Sequence, residues 1–426
     1  MSTDTIFALS SGAPPAAIAV VRVSGPQAGG ALTALAGRSL PPRRAVTATL
    51  RDAAGAVLDR CLALWLPGPG TATGEDTLEL HCHGGRGVVA AVESALGLLP
   101  GLRRAEPGEF TRRAFANGRI DLAEAEGLAD LLAAETELQR AAALEMAGGG
   151  FSREVGRWRE ALLGLSAEIE AVLDFADEDD VAALSPGFAQ ARARLGGEIA
   201  AWLARPRAEA LREGIRVVIA GPPNAGKSTL FNALVENEAA ITAPLAGTTR
   251  DVLMRPVALR GIPFQFLDTA GLREAGGDPI EAIGIDRARS ALAAADLVLW
   301  LGPEGDGPPD CWEIEVRIDA ADHEGKVQPR HRLSALTGAG LEGLRCDLVE
   351  HARAALPRPG EAALNARQHR LLVEAAEALD AAAELTDPLL IAESLRLARV
   401  AFDALLGRTA TDDMLDALFG RFCIGK

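Results

Sequence analysis

The sequence predicts a multidomain α/β protein in which a parallel-sheet domain is inserted into a helical bundle, behind a small α+β domain. Three observations predict this fold class. Short apolar runs, broken by Gly and Pro, alternate over residues 1–118. Two separate stretches, residues 119–210 and 358–426, repeat apolar residues at helical spacing. Between them, over residues 211–357, strand-like and helix-like stretches alternate.

The first 118 residues have the pattern of a compact α+β domain. Ile18–Val23 and Leu62–Leu66 are apolar runs of strand length, and Val88–Leu99 has the length and spacing of a helix. We therefore expect residues 1–118 to form one domain.

The helical stretches each carry an apolar stripe. In the first stretch the stripe is Trp158, Leu162, Leu165, Ile169 and Val172, and in the second it is Leu395, Ala398, Phe402 and Leu405. Each stripe must be covered, and one bundle split in sequence covers both. Residues 211–357 are then an insertion between the two halves, a geometry suited to transmitting motion.

The inserted region has four candidate strands separated by helix-like segments. They are Ile215–Ala220, Pro263–Leu267, Ala295–Leu301 and Ile314–Ile318. This rhythm is typical of a parallel sheet covered by helices.

Composition and charge narrow the function classes. Hydrophobic residues are 48% and charged residues 24%, as in soluble globular proteins. The net charge of −16 disfavours binding of a polyanion over the whole surface, so a nucleic acid must meet a local patch or a partner protein. The five scattered cysteines, the lack of a secretory pattern and the lack of an apolar run of about 18 residues predict a cytoplasmic protein without a membrane span.

A phosphate-binding loop follows the first candidate strand of the inserted region. Gly221–Ser228 fits G-x-x-x-x-G-K-S/T and precedes a helix-like stretch. In such loops backbone N–H groups hold the phosphates, and here Lys227 would reach the β- and γ-phosphates while Ser228 ligates Mg²⁺. Lys227 is thus a candidate catalytic residue. The loop residues expected to contact the nucleotide are Asn224, Ala225, Gly226, Lys227, Ser228 and Thr229.

Two further motifs follow in the order typical of a Ras-like GTPase. Thr249 matches the threonine that completes the Mg²⁺ shell, Asp268 matches the aspartate that holds the metal through water, and Gly271 matches the sensor of the γ-phosphate. Ser334 begins a segment that resembles the loop contacting the guanine base. The remaining expected GTP contacts are Ala243, Pro244, Leu245, Ala246, Gly247, Thr248, Thr249, Asp268, Thr269, Ala270, Gly271, Ser334, Ala335 and Leu336.

The element that reads the base departs from the usual pattern. Guanine is normally read by N-K-x-D, whereas residues 316–322 lack the asparagine and lysine. Either Asp319 or Asp322 could supply the carboxylate that accepts from the guanine N–H groups. Relaxed guanine selectivity stays open as an alternative.

The group that orients the attacking water is also unusual. Leu272 stands where Ras-like proteins place glutamine, so another residue, a partner or an ion must serve. Asn224 could ligate a monovalent cation beside the phosphates, or it could simply form the turn. Glu281 is the nearest carboxylate that could position water.

Long segments outside the GTPase motifs resemble the MnmE (TrmE) family of tRNA modification GTPases over nearly the whole chain. They are 4–6 with 21–25, 74–80 with 83–85, 107–115 with 117–122, and the terminal F-C-I-G-K at 422–426. Two weaker features favour structural roles. His81 and His83 lack a third ligand for a metal site, and Cys423 is expected to be a small apolar residue at a domain junction and not a nucleophile.

The resemblance implies a folate-binding N-terminal domain similar to folate-dependent aminomethyltransferase-type domains. That domain would form a homodimer and bind 5-formyl- or 5,10-methylene-tetrahydrofolate, with Arg22, Glu79, Arg119 and Lys426 lining the site. The family usually has lysine at the position of Arg119, so the charge is kept while the geometry differs.

The resemblance also implies K⁺-activated GTP hydrolysis by G domains that meet in pairs. Its implied K⁺ ligands are Asn224, Ala243, Leu245 and Thr248, with Ser228 and Thr249 on Mg²⁺ and Glu281 on water. The partner would be the FAD protein MnmG (GidA), in a heterotetramer that adds an aminomethyl or carboxymethylaminomethyl group at carbon 5 of the wobble uridine. The tRNA would be met mainly through that partner.

A GTP-dependent switch for ribosome or RNP assembly, without one-carbon chemistry, is the competing hypothesis. Such switches usually carry a basic RNA-binding appendage. The Arg22, Glu79 and Arg119 set and the acidic net charge favour the modification enzyme instead.

Overall fold

The computed structural model describes residues 4–174, 184–235, 254–268, 292–321, 323 and 325–425. The elements up to residue 133 are β1 (Thr5–Leu9), β2 (Ile18–Ser24), α1 (Ala28–Ala36), β3 (Ala45–Arg51), β4 (Val57–Leu66), β5 (Thr77–His83), α2 (Arg86–Gly97), β6 (Leu102–Arg104), α3 (Glu109–Ala116) and α4 (Leu122–Ala133).

The described elements after residue 133 alternate helices with a second set of strands. They are α5 (Glu137–Ala147), α6 (Gly150–Asp174), α7 (Pro186–Leu203), α8 (Ala208–Glu213), β7 (Ile215–Ala220), α9 (Lys227–Val235), β8 (Met254–Leu259), β9 (Ile262–Asp268), β10 (Leu297–Trp300), β11 (Trp312–Glu315), β12 (His331–Arg332), α10 (Leu341–Ala355), α11 (Ala366–Glu384), α12 (Pro388–Leu405) and α13 (Asp412–Phe419).

The chain divides into two compact units. The first comprises Met1–Ala129, Ser152–Gly156 and Arg399–Lys426. The second comprises Asp130–Phe151 and Arg157–Ala398.

The first unit is built on a six-stranded sheet in the order β3-β4-β5-β2-β1-β6. Neighbouring strands are antiparallel except β1 and β6, which are parallel. Helices α1 and α2 cover one face, where Val21, Leu32 and Leu96 belong to one buried core. The predicted strands at 18–23 and 62–66 and the predicted helix at 88–99 are confirmed, with bounds shifted by a few residues.

The carboxyl-terminal segment belongs to the same unit. Ile424 forms an antiparallel bridge with Pro107, and Gly425 packs so closely that a Cβ there would lie 2.1 Å from the carbonyl oxygen of Leu9. Only glycine fits this contact, because any side chain would displace the backbone of the β1–β2 turn.

The second unit contains a sheet in the order β12-β11-β10-β7-β9-β8. Strand β7 lies between β10 and β9 and is parallel to both. Three of the four predicted strands are confirmed within two or three residues, and the fourth, predicted at 314–318, is found two residues earlier as β11. The predicted parallel pairing is found from β12 to β9, whereas β8 pairs antiparallel with β9. Strand β8 stands at the edge of the described sheet, a position in which a proline such as Pro256 is tolerated.

The helical part of the second unit is packed around aromatic rings. Every residue of the stripe predicted on α6 is buried. The ring of Phe151 lies 6.4 Å from Trp158 and 5.1 Å from Trp202. Helix α7 contacts α11, where Arg192 donates to the carbonyl of Leu379 at 2.8 Å. The α12 residues predicted to face a core are buried as well, Leu395 and Ala398 in the second unit and Phe402 and Leu405 in the first.

Helix α5 packs into the core that surrounds the second unit's sheet. Leu138 and Ala142 belong to the buried cluster of β7, β9 and α9. The N–H of Leu138 donates to Gly261 O at 3.3 Å, and Gln139 Nε2 donates to Leu211 O at 3.0 Å. A helix that the sequence assigns to residues 119–210 therefore shares a core with the sheet of residues 211–357.

Candidate nucleotide and folate sites

The phosphate loop emerges from the carboxyl end of the central strand β7. Ile219 stands beside Asp268 of β9, and Ala220 stands beside Trp300 of β10. The loop residues and Asp268 therefore reach the same edge of the parallel sheet, which is where ligands bind in open α/β folds.

Three residues of the loop have a backbone that disfavours ordinary side chains. The φ angle is +154° at Gly221, +62° at Asn224 and +88° at Gly226. A Cβ at Gly221 would lie 3.1 Å from the backbone nitrogen of Gly302. Asparagine tolerates the left-handed region better than most residues, so Asn224 forms the turn whatever its exposed side chain binds.

Lys227 lies inside this loop and is almost completely buried. Its Nζ donates to Gly221 O at 3.1 Å and to Pro222 O at 2.7 Å, and the residue is 6% exposed. A buried ammonium group needs such acceptors or an anion. Because Lys227 also begins α9, the backbone N–H groups at the start of that helix and its dipole add to the attraction for phosphate.

The donor set at this edge fits a nucleotide with Mg²⁺. Ser228 follows Lys227 at the start of α9, and Asp268 ends β9 at the neighbouring strand. A hydroxyl and a carboxylate are the oxygen ligands that Mg²⁺ prefers when it also binds phosphates.

The structure brings together two of the residues predicted to read the base. A hydrogen bond from the Ser334 side chain, with the backbone N–H of Asp319, holds the pKa of the Asp319 carboxyl below its usual value. Ser334 is fully buried, and its Oγ accepts from the N–H of Thr337 at 3.1 Å. The lowered pKa favours the ionised carboxylate, which is the form that can accept from two N–H groups. Ala335 and Leu336 continue this loop, with Leu336 82% exposed.

The residue three before Asp319 connects the base loop to the phosphate loop. A Cβ at Gly226 would lie 3.9 Å from Val316 Cγ2, and Val316 packs against the core of the domain. With Asp319 as the aspartate of N-K-x-D, Val316 takes the asparagine position and Arg317 the lysine position. The alternative register through Asp322 stays a prediction, because Asp322 lies outside the described residues.

Many of the predicted residues lie outside the described part of the chain. They are Ala243, Pro244, Leu245, Ala246, Gly247, Thr248, Thr249, Thr269, Ala270, Gly271, Leu272, Glu281, Asp322 and Lys426. Their predicted roles stay predictions.

Arg22 and Glu79, both predicted to line a folate site, are in direct contact in the first unit. They stand opposite each other on β2 and β5. Arg22 donates from Nε and Nη2 to Glu79 Oε1 at 3.0 and 2.9 Å, while the second oxygen of Glu79 lies 3.4 Å from His81 Nε2. Both side chains keep partial exposure, 24% and 17%, so a ligand can reach them.

Arg119 is held by a loop that also touches the strand of Arg22. Its Nε donates to Thr71 O at 3.2 Å, and its stem packs on Gly74, whose φ of +79° leaves room for it. The neighbouring Thr73 Oγ1 hydrogen-bonds Ser24 Oγ at 2.7 Å. The loop therefore connects Arg119 to β2.

A buried arginine that sequence reasoning did not single out supports the same region. Arg113 donates to Asp4 Oδ1 at 2.8 Å, to Glu75 Oε2 at 3.2 Å and to Glu109 Oε1 at 3.1 Å. It ties the start of β1, the 71–75 loop and α3 together. The sequence indicates Arg113 only through its place in the family-like segment 107–115. Its ion-pair partners are distant in sequence, so the sequence does not predict them.

The weaker candidates are the histidine pair, His81 with His83, and Cys423. Among the described residues, three or more metal-ligating side chains are nowhere grouped, and His83 Nδ1 instead lies 2.7 Å from Asp59 Oδ1. Cys423 is exposed, and its interpretation as a small apolar residue at a domain junction stays a prediction. In the described ranges, each helix is too short or too polar to cross a membrane.

Comparison with known proteins extends over the whole chain. Residues 5–119 match the family described as the GTP-binding protein TrmE N-terminus, and residues 122–423 match the MnmE helical domain. The tRNA modification GTPase MnmE of Erythrobacter litoralis is 63% identical over 423 residues, covering 99% of this chain and 100% of that protein. The protein of the same name from Novosphingobium aromaticivorans is 64% identical over 436 residues, covering 100% of both.

Among solved structures, the G domain of the T. maritima FeoB iron transporter is 24% identical and covers 32% of this chain and 98% of that one, with a TM-score of 0.25. A TM-score this low supports no structural conclusion. The family matches and the near-complete relatives decide the assignment: the chain belongs to the MnmE family of tRNA modification GTPases.

Proposed function

We propose that this protein hydrolyses GTP and, as a homodimer, acts with the FAD protein MnmG in a heterotetramer to modify tRNA. The product would carry an aminomethyl or carboxymethylaminomethyl group at carbon 5 of the wobble uridine, made with a tetrahydrofolate one-carbon unit. One observation carries the proposal: a chain with family-wide similarity holds both the Lys227 loop and the Arg22–Glu79 pair.

In the nucleotide site, Lys227 and the start of α9 would offset the negative charge that spreads over the phosphates during transfer. Bound Mg²⁺ and K⁺ would supply further positive charge at the phosphate oxygens. Ser228 and Thr249 would hold Mg²⁺, with Asp268 behind them. Asn224 and oxygens of Ala243, Leu245 and Thr248 would hold K⁺. Two G domains would meet during hydrolysis.

Water activation would fall to Glu281. Leu272 cannot hydrogen-bond water, so the residue that follows D-T-A-G in this chain does not do the work of glutamine. A carboxylate can accept from the attacking water and hold it in line with the bond that breaks.

In the first unit, the guanidinium and carboxylate groups would bind the one-carbon carrier, 5-formyl- or 5,10-methylene-tetrahydrofolate. Arg22, Arg119 and Lys426 offer positive charge for a glutamate-tailed ligand, and Glu79 offers acceptors for N–H groups of a pterin. Arg119 in place of the family's usual lysine keeps the charge and adds a planar set of donors. Action on tRNA would take place in the cytoplasm.

Binding of the one-carbon carrier distinguishes the proposed modification enzyme from the alternative, a GTP-dependent assembly switch. The purified full-length protein should bind 5-formyltetrahydrofolate in a calorimetric titration and hydrolyse GTP in the same buffer. The Arg22→Ala variant should lose carrier binding by at least about tenfold and keep the wild-type rate of GTP hydrolysis. A wild-type protein that hydrolyses GTP without binding the carrier would favour the assembly switch.

A further inference from the structure

Positive charge is concentrated at the start of this acidic chain. Residues 5–74 contain six arginines, two aspartates and neither lysine nor glutamate, a net charge of +4, while the whole chain carries −16. Charge that is segregated in this way creates a local field opposite to that of the molecule as a whole.

Five of these arginines cluster at one edge of the first unit's sheet. We call this set the β3 edge: Arg38, Arg43, Arg44, Arg51 and Arg60. Strand β3 is outermost in the sheet, β4 is its neighbour, and all five arginines are exposed. The seven residues of β3 span about 23 Å at roughly 3.3 Å per residue.

Three arginines of the β3 edge donate to backbone carbonyl groups, which are neutral. Arg38 donates to Thr47 O at 3.0 Å, Arg43 to Gly70 O at 2.9 Å and Arg51 to Gly55 O at 2.8 Å. A backbone carbonyl orients a guanidinium group without cancelling its charge. Within the described ranges, none of the five forms an ion pair with a carboxylate.

The two aspartates nearby are occupied by other donors. Asp52 accepts from the N–H groups of Ala54 and Ala56 at 3.0 and 2.8 Å. Asp59 accepts from the N–H and the imidazole of His83 at 2.8 and 2.7 Å. The positive charge of the β3 edge therefore stays available to a ligand.

The opposite edge of the same sheet is built differently. Arg103 on β6 pairs with Asp4 at 2.6 Å and with Glu109 at 2.8 Å, and Arg104 pairs with Glu93 at 2.9 Å. Charge alone suffices to keep an edge strand from pairing with another chain. The arginines at the β6 edge are paired with carboxylates, whereas those of the β3 edge are not. This difference indicates that the β3 edge has a further role.

We infer that the β3 edge binds the phosphate backbone of tRNA, an inference that rests on the tRNA substrate of the proposed function. Guanidinium groups bind phosphate in a planar, two-point fashion. Nucleic acid presents a phosphate about every 3.4 Å of axis on each strand, so the edge can meet several. The contacts carry no base readout and position the RNA. This is the local patch that an acidic chain requires.

The test measures binding of a wobble-uridine tRNA transcript to the full-length protein by fluorescence anisotropy from 50 to 300 mM KCl (about the range over which phosphate contacts weaken steeply). The variant is Arg44→Ala/Arg60→Ala. The matched control, Arg104→Ala/Arg140→Ala, removes the same charge from two exposed arginines that pair with Glu93 and Glu137.

The inference predicts that Arg44→Ala/Arg60→Ala weakens tRNA binding about tenfold and lowers the slope of log K against log salt by about 0.7–0.9 per lost contact. The control should keep the wild-type affinity and slope. Equal affinities in the two variants would overturn the inference, as would loss of partner-protein binding with tRNA binding unchanged. GTP hydrolysis and carrier binding, measured on the same samples, report on the proposed function separately.

Discussion

The hydroxyl of Ser334 hydrogen-bonds the carboxylate of Asp319, and this bond joins the two loops predicted to surround the base. Asp322 lies outside the described residues, so Asp319 is the candidate aspartate that the structure relates to Ser334. If Asp319 reads guanine, Val316 and Arg317 stand at the asparagine and lysine positions of N-K-x-D. Guanine recognition would then depend on the carboxylate more than it does where asparagine assists.

Asp319→Asn should convert the base preference from guanine to xanthine. An amide cannot accept from both guanine N–H groups, but it can donate to the second oxygen of xanthine. We expect GTP affinity to fall about 100-fold, or roughly 3 kcal/mol, with XTP affinity rising. Competition binding measures both, with Asp306→Asn as an exposed control in the same domain. Unchanged GTP affinity would assign base reading elsewhere.

The affinity for GTP should stay constant as the pH is lowered from about 8 to about 5. The lower limit is still roughly one unit above the usual pKa of an aspartate. The bond from Ser334 lowers the pKa of Asp319, so its carboxylate stays ionised as the pH falls through this range. Titration calorimetry at several pH values measures it. A loss of affinity with an apparent pKa near 6 that is absent from Asp319→Asn would contradict the assignment.

Asn224→Gly should show whether Asn224 serves only to form the turn or also ligates K⁺ through its side chain. Glycine adopts the φ of +62° found at this position without strain, so the loop and its affinity for GTP should persist. If the Asn224 side chain ligates K⁺, the variant should hydrolyse GTP at the same rate in KCl and NaCl, whereas the wild type should be faster in KCl. A wild type with equal rates in the two salts would remove the cation role.

Glu281→Ala should slow GTP hydrolysis about 100-fold while GTP affinity changes less than about twofold. The reason is that a residue positioning water acts on the transition state and leaves ground-state binding alone. Single-turnover hydrolysis and nucleotide binding measure the two effects. A variant with the wild-type rate would exclude Glu281 from the mechanism.

Glu109→Gln should destabilise the folded protein at neutral pH. Burial raises the pKa of Glu109, but its bonds with Arg103, the N–H of Glu106 and Arg113 outweigh burial and lower it. A lowered pKa means that this stabilisation is full above the unfolded value, about 4.3, and is lost as pH falls below it. We expect about 2 kcal/mol at pH 7 in urea unfolding.

The pH dependence provides the check on that prediction. The difference between Glu109→Gln and wild type should shrink as the pH falls from about 5 to about 3. Glu137→Gln removes a carboxylate that pairs with Arg140 on an exposed helix face, and it should change stability far less. A Glu109→Gln effect independent of pH would mean that lost packing, and not lost charge, is responsible.

Much of the fold could be predicted because its signal is local. The spacing of Trp158, Leu162 and Leu165 determines which face of α6 is buried, whatever covers it. The phosphate loop is a contiguous motif, so Lys227 could be placed from eight residues. Strand β8 was missed because Pro256 interrupts a short apolar run at a sheet edge.

The remaining features depend on contacts between distant parts of the chain. Leu138 has the same helical spacing whether α5 packs on the bundle or on the inserted sheet, so the sequence could not assign it. The ion pairs of Arg113 join residues up to 109 positions apart, and the side chain that lowers the pKa of Asp319 belongs to Ser334, fifteen positions later in the chain. Such pairings follow from the fold and not from local pattern.

The most direct test is mass spectrometry of wobble nucleosides in tRNA from a strain that lacks this protein. We expect 5-aminomethyl and 5-carboxymethylaminomethyl uridines to disappear from this strain. The wild-type gene should restore them, whereas a gene that encodes Lys227→Ala should not. Unaltered amounts of these nucleosides in the strain without the protein would contradict it.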